Sequence, residues 1–103
     1  MRRAERLEPL ADLAGLVEND AARRLAATAK LMQGKQEELT RLRSYLAEYR
    51  QQTEQNAATG SARLRNARAF LAKLADAVAF QEAELAKVVE RFRLDTERWR
   101  ASH

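Results

Sequence analysis

The chain has no cysteine. That removes both a disulfide framework and a thiolate metal site, and it permits a reducing compartment. Aromatic residues make up only 6% of the 103 residues, too few to build a thick globular core. One proline and three isolated glycines, Gly15, Gly34 and Gly60, leave no glycine-rich loop to cradle a phosphate. The single histidine, His103, is the last residue and is expected to fray, so a histidine triad or multi-histidine metal centre is excluded. No apolar run approaches the roughly 20 residues that a bilayer span requires, and MRRAERLEPL lacks the apolar stretch of a secretory signal. These absences predict a cytoplasmic chain without direct membrane insertion, without a cofactor and without catalytic chemistry. Acidic pairs such as Glu37 and Glu38 read as solvated helix surface.

What is present is charge, at 33% of residues, together with alanine and leucine, the composition of long helices. The net charge of +4 suggests a polyanion partner, but its distribution opposes that. Residues 1–58 hold ten Lys or Arg against nine Asp or Glu, interleaved as a solvated face requires. Nucleic acid is therefore not expected as a partner; a salt-sensitive gel shift would revive it.

The clearest pattern runs from Leu64 to Trp99. Alternate steps of three and four land on Leu64, Ala67, Leu71, Leu74, Val78, Gln81, Leu85, Val88, Phe92, Asp95 and Trp99. Nine of these eleven positions are apolar or aromatic, a heptad seam that demands a partner helix. A matching seam, Leu39, Leu42, Leu46 and Tyr49, continues in polar form through Thr53 and Asn56. Read backwards it passes Lys35, Met32, Thr28, Leu25 and Ala21, then becomes untidy around Glu18, Val17 and Leu13. Gly15 and Gly34 mark weak points there.

QNAATGSA, residues 55–62, is the strong punctuation: Gly60 can end one helix and Ser61 can cap the next. The fold class expected is all-α, a long antiparallel two-helix coiled-coil hairpin forming one domain. Helix one covers about 9–57, beginning near Pro9 or a few residues earlier with Pro9 tolerated in its first turn, the turn covers 58–61, and helix two covers about 62–101. At roughly 1.5 Å per residue the helices run roughly 70 and 60 Å, and the isolated hairpin is expected to be a monomer.

Heptad phase places Tyr45 and Glu38 at g on helix one and Phe70 and Ala77 at g on helix two. In an antiparallel pair g faces g, so these residues share an edge bordered by Leu42, Tyr49, Leu74 and Gln81. Two readings stay open for the aromatic residues: they widen a thin core, or they anchor a partner protein. Phe80, at c, has no seam contact in this register. Arg2, Arg3, Arg6, Arg91, Arg93, Arg98 and Arg100 gather at the terminal end as a basic tip, partly offset by Glu5, Glu8, Asp95 and Glu97.

LADLAGLVENDAARRL, YLAEYR at Tyr45 to Arg50, the Gly60 turn, FLAKLADAV and the closing ERWR together resemble the FliJ family of the flagellar type III export apparatus. That group includes the stalk proteins of virulence-type secretion systems. The resemblance implies a non-catalytic hairpin, similar to the shaft of a rotary ATPase, at the inner-membrane export apparatus. Its implied partners are the hexameric export ATPase, the cytoplasmic domain of the export gate, and export chaperones. The family's surface row falls here on Glu38, Leu42, Tyr45, Tyr49, Phe70, Leu74, Ala77 and Gln81. Glu38 and Gln81 depart from its pattern, where an amide and a histidine respectively occur. The competing reading is a generic coiled-coil scaffold or dimerisation protein.

Overall fold

The structure, a computed structural model, describes residues 2–56 and 60–103, with side chains from residue 9 onward. It is all-α: α1 spans Arg2–Gln55 and α2 spans Ser61–Ser102, as the heptad seams require. Two compact units divide the chain, Met1–Met32 with Lys87–His103 (unit 1) and Gln33–Ala86 (unit 2). In each, α1 packs antiparallel to α2. Within unit 1, Glu18 meets His103 and Thr28 meets Asp95; within unit 2, Arg43 meets Glu82 and Tyr49 meets Phe70.

All eleven α2 seam positions from Leu64 to Trp99 are buried or half-buried. On α1 an unbroken three-four row of covered positions runs Glu18, Ala21, Leu25, Thr28, Met32, Lys35, Leu39, Leu42, Leu46, Tyr49 and Thr53, with Gly15, Ala29 and Gly34 half-buried outside it. Leu10, Leu13, Leu16 and Val17 are exposed, and Glu18 and Gly15 are the half-buried residues of that untidy end. The core is thin. Leu39 and Val78 are its only buried apolar residues among those described, and no described side chain is fully enclosed. Stability therefore rests on the length of the seam rather than on its depth.

Four local expectations are corrected. The helix begins at Arg2, ahead of the expected start near Pro9, and Pro9 lies inside it, beyond the first turn. Proline's fixed φ is helical, and its cost is the missing N–H bond together with crowding of the preceding turn. The strong helix formers around it offset that cost. At the other end α1 stops at Gln55, with the Asn56 N–H still bonded to the Gln52 carbonyl. Residues 57–59, which held the expected end of helix one and most of its turn, lie outside the described residues. Gly60, at φ 126°, accepts the first bond of α2 from the Leu64 N–H at 3.1 Å. The capping residue is therefore Gly60, and Ser61 is already helical, because only glycine takes that backbone region without strain. Finally, His103 is held rather than frayed. Its ring stacks on Trp99, with centroids 5.0 Å apart, and its Nδ1 lies 2.9 Å from Glu18 Oε1.

Both helical glycines lie within continuous helix, and a Cβ at either would meet nothing within 4 Å.

Candidate functional site

Unit 2 carries the aromatic edge. Tyr45 and Tyr49 stand one turn apart on α1, and Phe70 comes from α2. The ring centroids of Tyr49 and Phe70 are 4.8 Å apart at 67°, and those of Tyr45 and Phe70 are 6.5 Å apart at 86°. Tyr45 and Tyr49 are 6.4 Å apart. These are edge-on and tilted packings of the kind that the ring quadrupole favours. The three rings form one cluster, but they are not equally enclosed. Tyr49, at a seam position, is half-buried, whereas Tyr45 is 48% and Phe70 39% exposed. The seam position holds one ring, and the two g positions present theirs to solvent.

Along the same row Leu42, Leu74 and Ala77 are half-buried, and Glu38 is exposed. Gln81 is half-buried, and its side-chain oxygen is buried without a hydrogen-bond partner among the described residues. Phe80 is 62% exposed, in keeping with its c position outside the seam. The opposite, e–e edge is closed by an ion pair between Arg43 and Glu82 at 3.3 Å.

Unit 1 distributes its charge unevenly. Arg93 is already engaged: its guanidinium meets Glu90 at 2.7 Å and Glu97 at 2.6 Å on the same helix face. The hydrogen bond from Arg93 holds the Glu90 carboxyl below its ordinary pKa, helped by the arginine's charge. Glu90 in turn raises the pKa of Arg93. Arg91, Arg98 and Arg100 are exposed, and no hydrogen bond or ion pair among the described residues engages them. The side chains of Arg2, Arg3 and Arg6, the remaining members of the expected basic tip, lie outside the described residues.

One polar contact in unit 1 was not anticipated from the sequence. Thr28 Oγ1 faces the Arg24 carbonyl at 2.8 Å and the Asp95 carboxylate, and both side chains are buried. Both were visible as polar seam positions; their meeting required the inter-helix register.

Among the described residues, no group of three or more His, Asp or Glu is placed to hold a metal ion. No helix among them is long and apolar enough to cross a membrane. Neither curated proteins nor solved structures gave a match to the chain. The family model described as Flagellar FliJ protein matches residues 3–103, which take in nearly all of α1, the whole of α2 and the residues between them. The chain therefore belongs to the FliJ family, components of the flagellar export apparatus.

Proposed function

We propose that this chain acts without catalysis, as a coiled-coil stalk that promotes flagellar protein export by binding other parts of the apparatus. The aromatic edge of unit 2, centred on Tyr45, Tyr49 and Phe70 with Leu42, Leu74 and Ala77 beside them, binds the cytoplasmic domain of the export gate. Glu38 and Gln81 flank it. The basic residues of the terminal end engage the hexameric export ATPase. Arg91, Arg98 and Arg100, unpaired among the described residues, supply the charge for this, while Arg93 is largely neutralised by its two glutamates. Export chaperones are further partners. The isolated chain is a monomer, peripherally associated with the inner-membrane apparatus when at work.

The observation that carries this reading is the exposure of Tyr45 and Phe70 in a chain of the FliJ family. Rings left at the solvent side of a two-helix core contribute less to holding the helices than a seam residue does. Tyrosine and phenylalanine are also effective anchors when a partner desolvates them. The test is co-purification with the export ATPase and the gate domain, comparing the native chain with Arg91→Glu/Arg98→Glu. ATPase stimulation should fall while gate binding is kept. If both activities were untouched, the assignment of the basic end would fail; if neither partner were retained by the native chain, the whole reading would fail.

A further inference from the structure

The g–g edge of unit 1 differs in chemistry from that of unit 2. Here α1 contributes Arg24 and Leu31, and α2 contributes Arg91 and Arg98 at g with Leu94 beside them. These residues line one groove of about 490 Å³, together with Ala27, Thr28 and Asp95. Leu31 is 47% and Leu94 40% exposed within it. Single leucines on a surface are ordinary, but a pair lining one groove between two unengaged guanidinium groups is a specific arrangement.

Both carboxylates of this edge are already engaged within unit 1, Asp95 by a neutral hydroxyl that leaves its charge in place and Asp20 by a guanidinium. Asp95 turns its carboxylate to the Thr28 hydroxyl, and Asp20 pairs with Arg24 at 3.0 Å. Among the described residues, Arg91 and Arg98 are the arginines of this edge without an ion-pair partner. They stand seven residues apart on one helix face, which is two turns or roughly 10.5 Å along the axis. A helix laid in the groove would meet that spacing with carboxylates at i and i+7, and would cover the leucines with aliphatic side chains between them. A phosphate backbone would leave the leucines exposed.

We infer that this groove docks an acidic amphipathic helix from a partner protein, aliphatic on the face toward Leu31 and Leu94 and bearing carboxylates opposite Arg91 and Arg98. The inference rests on the proposed function only in taking the basic end as a partner-binding surface; the chemistry of the partner is new.

The test uses a fluorescein-labelled peptide of three LEELAEA heptads, titrated with the full chain and read by anisotropy. The peptide should bind. A SEESAEA version, equally acidic but without the leucines, should bind roughly tenfold more weakly, as should the native peptide to Arg91→Glu/Arg98→Glu. Leu94→Ser should weaken binding severalfold, whereas Arg93→Glu, outside the groove lining and half the charge change, should weaken it less than the double reversal. Circular dichroism confirms that each variant keeps its helices. The inference is overturned if the LEELAEA peptide does not bind, if SEESAEA or a short DNA duplex binds equally well, or if Arg93→Glu is as damaging as the double reversal. Loss of peptide binding with ATPase stimulation still dependent on Arg91 and Arg98 would sink this inference and leave the proposed function standing.

Discussion

Asp95 and Gln81 occupy equivalent positions in the α2 seam, two heptads apart, and break the same apolar pattern, yet the fold treats them differently. Asp95, in unit 1, is buried and receives the hydroxyl of Thr28 from the opposing helix. Gln81, in unit 2, buries an oxygen that no described group donates to. A polar seam residue lowers stability relative to a leucine in either case, but only one with a partner on the other helix favours a particular register. The seam of unit 1 thus contains a polar pin. That of unit 2 contains a weak point beneath the row of residues assigned to partner binding.

This contrast can be broken by substitution. The largest effect is expected from Thr28→Val, which leaves the Asp95 carboxylate buried without its donor and should destabilise the chain by about 2 kcal/mol. Asp95→Leu should be far milder, within about 1 kcal/mol of the native chain, because Thr28 keeps the Arg24 carbonyl as acceptor. Urea denaturation followed by circular dichroism reads both, and equal losses would mean that the two residues are not a pair. Gln81→Leu should act in the opposite direction, raising stability by about 1 kcal/mol as an unpaired buried oxygen is removed. A loss there would show that the carboxamide is satisfied.

The smallest effect lies outside the seam. Glu90 titrates below its ordinary range because Arg93 hydrogen-bonds its charged form. Its contribution to stability is therefore present above the unfolded-state pKa and lost as the pH falls through the lower folded value. NMR titration should find Glu90 among the most acidic of the exposed glutamates and should find it back in the ordinary range in Arg93→Ala.

Much of the fold was legible because a heptad is a statement about geometry. Every α2 position picked by the three-four alternation is covered, and the α1 phase extends as far as Glu18. Gly60 was legible as punctuation, though its role as the cap in place of Ser61 depended on the bond from Leu64. Pro9 misled because a proline suggests a helix start, whereas the surrounding helix formers carry α1 through it. The grouping of Tyr45, Tyr49 and Phe70 followed from g facing g in an antiparallel pair. The Thr28–Asp95 contact and the engagement of Arg93 did not, since they depend on the inter-helix offset and on which rotamer a long side chain adopts. His103 was misread for a related reason: a terminal residue frays unless something holds it, and Trp99, one turn earlier, presents a face to stack on.

Whether the aromatic edge holds the helices together or meets a partner is decided most directly by measuring gate-domain affinity and unfolding free energy on the same Tyr45→Ala protein. The account predicts that binding falls by roughly tenfold or more while stability changes by less than about 1 kcal/mol. Gate binding unchanged beside a stability loss of about 2 kcal/mol would contradict it, and would make the cluster a widening of the thin core.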